Sequence, residues 1–137
     1  MSGSPLPTKK PTVSFEQYSV VVVPFPFADR ATTRRRPAVV LSTPETLVRR
    51  AGHSVLAMIT SAGNPPWPFD VRIADLAAAG LPRPSVVRMK LFTLDDRLVV
   101  RVAGTLASAD AEAVEQAVRE ILRRRDPTSA IPEPQPR

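Results

Sequence analysis

The sequence predicts a mainly β protein with a helix appended, a small and strongly bent antiparallel sheet, barrel-like in shape, covered by a C-terminal amphipathic helix. Three observations predict it. Short β-branched or continuously apolar runs recur along the chain, bounded by proline, glycine or charged segments. One stretch near the C terminus carries its apolar residues at helical spacing. The chain has 137 residues, one domain's worth and too few for two independent cores.

The elements follow in order. Residues 1–13 and 127–137 are polar and proline-rich and read as tails around a folded body at 14–126. Tyr18 to Val23 is β-branched and is stopped by Pro24-Phe25-Pro26-Phe27, whose prolines cannot donate to a ladder. Ala28 to Arg36 is a charged loop. Pro37 to Ser42 and Val55 to Thr60 are continuous apolar runs, the pattern of central strands buried on both faces. Ala62 to Pro68 is a loop, since prolines and a glycine crowd it. Asp70 to Ile73 reads as a short strand. Asp75 to Ala79 reads as a helical turn or two ended by Gly80, a residue suited to the left-handed position after a helix. Ser85 to Met89 and Leu98 to Val102 read as strands joined through Asp95-Asp96. The last helix has Ser108 as its expected N-cap, Asp110 and Glu112 in its first turn and Arg123 to Arg125 in its last. Its stripe is Ala111, Val114, Ala117, Val118, Ile121 and Leu122.

Composition narrows the function. Hydrophobic residues make up 43% and charged residues 23%, so a packed core is expected. There is no cysteine, which removes disulfides, thiolate metal sites and cysteine nucleophiles. No apolar run approaches the roughly 20 residues that span a bilayer, and the first residues lack the apolar core of a signal peptide. A cytoplasmic protein without membrane contact is expected. The net charge is +6, and nearly all cations are arginine. The guanidinium fork matches phosphate bidentately, which favours a nucleic-acid partner.

Residue supply excludes several chemistries. The single histidine, His53, rules out a two-histidine ribonuclease mechanism and a histidine-rich metal site. It reads as a turn or surface histidine. No glycine-rich phosphate loop is present. What remains is arginines and hydroxyls at strand ends: Arg34-Arg35-Arg36 before Pro37, Thr60-Ser61 after an apolar strand, and Arg88 inside Val86-Val87-Arg88-Met89. Each also has a structural reading as a flanking charge, a turn former or an outward-pointing strand residue.

Five collinear segments carry a resemblance from about Tyr18 to Leu122. They are Val22-Val23-Pro24-Phe25-Pro26-Phe27 with Arg35-Arg36-Pro37-Ala38-Val39-Val40-Leu41-Ser42, then Ile59-Thr60-Ser61-Ala62-Gly63-Asn64. Gly80-Leu81-Pro82-Arg83-Pro84-Ser85-Val86-Val87-Arg88, Leu91-Phe92-Thr93-Leu94-Asp95 and Gly104-Thr105-Leu106 complete them. Together they resemble the MazF/PemK family of endoribonuclease toxins from type II toxin–antitoxin systems. The resemblance implies a MazF/CcdB-like fold, a homodimer, an antitoxin with an acidic disordered segment, and cleavage of single-stranded RNA without metal or other cofactor. The ribose 2′-hydroxyl attacks the adjacent phosphate, leaving a 2′,3′-cyclic phosphate. Arg36 matches the family's arginine before proline, a donor to the phosphoryl oxygens. Thr60 matches a strand-end threonine on the same phosphate, and Arg88 a general acid or phosphate clamp. Ser61, Arg35, Asn64, Ser85 and Lys90, on or beside the matched segments, are the expected substrate-binding residues.

The sequence departs from the family where PemK-type members carry a carboxylate two residues after the arginine, because Lys90 stands there. Asp29 and Glu16 are the carboxylates considered in its place, and a lysine base would need a strongly lowered pKa. Two further readings share the residues: a same-fold toxin that inhibits a protein such as gyrase, and a nucleic-acid-binding module without catalysis. Neutral residues at positions 36 and 60 would favour the first, and Arg36 and Thr60 argue against it. The second needs only the basic charge. Phe25, Phe27 and Trp67, in proline-bearing loops, are expected to offer apolar contacts to the antitoxin beside the arginines, with core or dimer packing as the other reading for the two phenylalanines.

Overall fold

The computed structural model describes residues 15–25, 34–48, 51–128 and 132–134. Strands β1 (Ser19–Pro24), β2 (Arg35–Val40), β3 (His53–Ser61), β4 (Val71–Arg72), β5 (Ser85–Asp95) and β6 (Arg101–Thr105) form one sheet. Helices α1 (Leu76–Ala79) and α2 (Ser108–Ile121) complete it, with a wide helical turn at Pro44–Val48 and a tight one at Asp96–Leu98. The sheet order is β4-β5-β3-β2-β1-β6, with every neighbouring pair antiparallel. It curls into a half-barrel, as the alternation of short strands and a terminal helix predicts.

The continuous apolar runs are explained by a core on both faces of the sheet. On the α2 side, Val20, Val39, Ala57, Ile59 and Val87 pack with Ile73, Ala79, Leu106 and Val114. On the opposite side, Val21, Val23, Ala38, Val40 and Leu56 pack with Phe15, Phe92, Leu94 and Val99. Each fully buried valine contributes on the order of 1.5 kcal/mol or more. Register shifts between Val20 and Val21 and between Ala57 and Met58 disturb the ladders and accentuate the bend. Gly80 adopts the expected left-handed conformation, φ 73°. It and Gly104 let α1 lie directly on β6: a Cβ on Gly80 would collide with the Ala103 carbonyl oxygen, and one on Gly104 with that of Ala78.

Several boundaries differ from expectation. Pro24 belongs to β1, paired with Arg35, and lies past the end of β6, so its missing N–H is asked of no neighbour. β4 is confined to Val71–Arg72. β5 extends to Asp95 because Phe92 and Leu94 fill the face opposite α2. Leu98 sits in a helical turn that the Asp95 carboxylate caps through Arg97 N–H, so the next strand starts at Arg101. Ser108 is the first helical residue and not the N-cap. Ala107 holds that position without a side-chain bond. The buried Asp110 carboxylate instead accepts the backbone N–H groups of Ala74 and Asp75, tying α2 to the segment before α1. The helix ends at Ile121, which leaves Leu122 exposed off the stripe and Arg123 to Arg125 past the last turn. The expected N-terminal tail lies outside the described residues, as do 129–131 and 135–137 of the C-terminal one.

Candidate active site

Strand alternation sorts the expected site residues into two sets. Ala38, Leu56 and Phe92 belong to the face opposite α2, whereas Val39, Ala57, Ile59, Val87 and Met89 face α2. Arg36, Thr60, Arg88 and Lys90 share the phase of the first group. Arg35, Ser61 and Ser85 share the phase of the second. Arg35 is exposed. The Ser61 hydroxyl accepts Gly63 N–H at 3.1 Å, and Ser85 spends its proton on the Arg83 carbonyl at 2.8 Å, so both hydroxyls take part in local turns.

A proline opens the sheet where the first set gathers. Pairing between β2 and β3 covers Ala38↔Met58, Val39↔Ala57 and Val40↔Leu56, then stops. The next position is Pro37, which has no N–H to offer β3. β3 stays paired to β5 as far as Ser61↔Ser85. Continuing the β2–β3 register would set Arg36 across from Thr60. These two residues therefore stand opposite each other in register, one step beyond the first unpaired position.

Arg36 is half-buried, with its guanidinium carbon 5.6 Å from the centre of the Phe25 ring. Phe25 is itself buried and meets Phe92 edge-on at 6.2 Å. Phe25 thus packs in the core and is not an exposed anchor, while Phe27 lies outside the described residues. Among the described residues no carboxylate lies within ion-pair distance of Arg36. Thr60 is buried, and its hydroxyl oxygen accepts the Asn64 side-chain amide at 2.7 Å. That bond uses an oxygen lone pair and leaves the O–H able to donate.

Arg88 is 8% exposed. A buried guanidinium demands an anion, and Asp70 supplies it: Nε donates to Oδ1 at 3.1 Å and Nη2 to Oδ2 at 2.9 Å. Nη2 also donates to the Pro65 carbonyl at 2.8 Å. Trp67 N–H donates to Asp70 Oδ2 at 3.0 Å. Burial pushes the Asp70 carboxyl upward, but the Arg88 and Trp67 bonds outweigh it and hold the group below its ordinary value. The Trp67 ring lies 5.8 Å from the Arg88 guanidinium carbon and 5.1 Å from Lys90 Nζ.

Asp70 was not among the expected site residues. The signal was available: a cation inside an otherwise apolar strand needs a carboxylate, and Asp70 follows the loop that returns to that strand. Glu16 is not gathered here. It precedes Tyr18, whose N–H bonds Val40 O at 2.6 Å, and Val40 pairs with Leu56, away from Thr60. Asp29 lies outside the described residues. His53 stands at the far end of β3, with Nδ1 2.7 Å from the Ala51 carbonyl oxygen, in keeping with a turn histidine. Among the described residues no group of three or more acidic, histidine or cysteine side chains is placed to hold a metal ion. Among the same residues no helix is long and apolar enough to cross a membrane.

A family profile described as PemK-like, MazF-like toxin of type II toxin–antitoxin system matches residues 16–122. The chain belongs to this toxin family. Solved structures agree on the fold. Mycobacterium tuberculosis toxin MazF-mt6 is 21% identical over 76% of this chain and 95% of its own, with a TM-score of 0.58. A chain of the MazE–MazF crystal structure from Deinococcus radiodurans is 20% identical over 78% of this chain and 94% of its own, with a TM-score of 0.62. A mycobacterial endoribonuclease in complex with its cognate antitoxin is 14% identical over 78% and 91%, with a TM-score of 0.58. No curated protein matches by sequence. In this MazF-like toxin, the residues that the family resemblance singles out divide by strand phase. Arg36, Thr60, Arg88 and Lys90 have the face opposite α2, and Asn64 joins them through Thr60.

Proposed function

We propose that this MazF-like toxin is an endoribonuclease that cleaves single-stranded RNA without a metal. The observation that carries the reading is that Arg36, Thr60 and Arg88 share one strand phase, near the end where β2–β3 pairing stops at Pro37. Attack of a ribose 2′-hydroxyl on the neighbouring phosphorus breaks the bond to the 5′-oxygen. The products are a 2′,3′-cyclic phosphate and a free 5′-hydroxyl. The barrier lies in charge that develops on the phosphoryl oxygens, and fixed donors aimed at them lower it. Arg36, flanked by an aromatic ring and no described carboxylate, offers its guanidinium to that charge. Thr60 adds a hydroxyl whose rotamer Asn64 holds. Arg88 keeps Nη1 for the phosphate while Asp70 fixes its Nε and Nη2. With both oxygens engaged, Asp70 orients a cation rather than taking the proton.

Control of such an activity calls for a partner that covers these cations. An antitoxin with an acidic segment fits, in line with the MazE–MazF and endoribonuclease–antitoxin complexes among the structural relatives. Exposed Val102 in edge strand β6, with Leu98 and Val100 just before it, supports a homodimer, since apolar residues grouped on an edge favour a protein contact. The test is incubation of mixed-sequence single-stranded RNA with wild type and Arg36→Ala in the presence of EDTA, with analysis of the product ends. Wild type is expected to leave cyclic phosphates, and Arg36→Ala to be slower by on the order of 100-fold with unchanged thermal stability. Wild-type cleavage by the variant would remove the assignment. Binding without cleavage by wild type would leave a nucleic-acid-binding module.

A further inference from the structure

The loop that ends β3 presents two aromatic residues to solvent. Trp67 is 42% exposed and Phe69 49% exposed. Trp67 is the chain's one tryptophan. Large apolar side chains left outside a core mark contact surfaces when something holds them there. Here the hold is specific. Trp67 N–H bonds the Asp70 carboxylate, Asp70 N–H returns to the Trp67 carbonyl at 3.1 Å, and Asp70 is anchored on Arg88. Between them Phe69 takes a left-handed backbone, φ 65°, which bulky residues rarely adopt. The turn keeps the indole over Arg88 and Lys90.

Arg88 and Lys90 are two residues apart on β5, share one strand phase, and both bring their charge to the indole, at 5.8 and 5.1 Å from its centre. With both cations against it, Trp67 still keeps 42% of its surface exposed. A rigid aromatic plane with cations at its base has the composition of single-stranded nucleic-acid sites: the ring takes a base and the cations take the phosphates beside it. The carboxylates of an acidic peptide would use the cations and leave the face of the indole unused.

We propose that Trp67 is a nucleobase-stacking platform for single-stranded RNA, seating a base next to the phosphate held by Arg36, Thr60 and Arg88. The proposal rests on the ribonuclease reading for its substrate class and adds the place where a base is received. Asp70 holds the platform through the Trp67 backbone and through Arg88.

The test uses the full chain and a short 2′-O-methyl RNA, which keeps bases and phosphates but lacks the attacking hydroxyl. An abasic oligonucleotide of equal length serves as the charge control. Trp67 fluorescence is expected to fall on binding the base-bearing strand and to change little with the abasic one. Trp67→Ala is expected to weaken the base-bearing strand about 10-fold while leaving abasic binding alone, and Trp67→Phe to retain most of the affinity. Circular dichroism checks that both variants are folded. Equal affinity of wild type for the two strands, unchanged fluorescence in the bound state, wild-type affinity in Trp67→Ala, or no binding of either strand would overturn the proposal. Base-dependent binding without cleavage of natural RNA would sink the ribonuclease reading and leave the platform standing. Cleavage indifferent to Trp67 would do the reverse.

Discussion

Near one end of the β3–β5 pair the Asp70 carboxylate lies against the Arg88 guanidinium, and near the other Asp96 lies against the Ser54 hydroxyl. Both acids are withdrawn from water, and their environments act on them in opposite directions. Asp70 has its two oxygens filled by Arg88 and Trp67 and is held below the usual carboxylate range. Asp96 is 3% exposed. Its Oδ1 accepts the Ser54 hydroxyl at 2.6 Å, and its Oδ2 has no partner among the described residues. Burial raises its pKa against the lowering effects of Ser54 and His53. The difference shows what a buried carboxylate needs: a cation and full hydrogen bonding make the charged form stable, and a single hydroxyl does not. It also separates the two ends by role. The end with the paired ions carries Thr60 and the exposed aromatics, and the other closes a turn.

The largest expected effect comes from breaking the pair on one side. Asp70→Ala leaves the Arg88 guanidinium buried without an anion and is expected to cost about 3 kcal/mol in urea unfolding. Replacing both partners, Asp70→Leu with Arg88→Met, should return stability to within about 1 kcal/mol of wild type, because the charges are removed together. RNA cleavage by that folded double variant is expected to remain lower by on the order of 100-fold. Recovery of cleavage along with stability would show that the pair serves the fold alone.

A smaller effect distinguishes the two acids by pH. Because the folded value of Asp70 is lowered, its stabilisation is complete above the unfolded value of 3.8 and is lost as pH falls through the folded value. Asp96 behaves in the opposite sense. With its folded value raised, the charged form disfavours folding above that value, and the penalty fades as pH falls toward 3.8. Asp96→Asn should therefore stabilise the protein by about 1 kcal/mol at neutral pH, with the gain vanishing near pH 4 in unfolding titrations. A gain that is the same at both pH values would mean that ionisation of Asp96 is not its source. Thr60→Val keeps the branched shape and is expected to cost no more than about 1 kcal/mol, through the lost acceptor for Asn64. Cleavage should fall much further than stability, and a variant as active as wild type would make Thr60 a strand end only.

Much of the fold was legible in the chain because its signals are local. Val20 to Val23, Ala38 to Val40 and Leu56 to Ile59 are apolar at every position, which is the mark of strands covered on both faces. The stripe from Ala111 to Ile121 marks the covering helix, and Gly80 marks the end of the short one. Boundaries were less legible where a side chain from elsewhere decides them. Asp110 ties α2 to the segment before α1, and the Asp95 carboxylate delays β6.

The site divides in the same way. By itself the sequence determined that arginines and a threonine stand at strand ends, that Pro37 follows Arg36, and that Arg88 interrupts an apolar run. Tertiary structure alone decided which of them meet. The Arg88–Asp70 pair spans 18 residues and exists because the loop after β3 folds back over β5. The placing of Arg36 across from Thr60 depends on the β2–β3 register. The exclusion of Ser61 and Ser85 from the shared face is set by strand phase. Alternation and helical period are written residue by residue, so a sequence displays them. Register, phase between strands and the partner of a buried charge are properties of two distant segments at once, fixed when the sheet assembles.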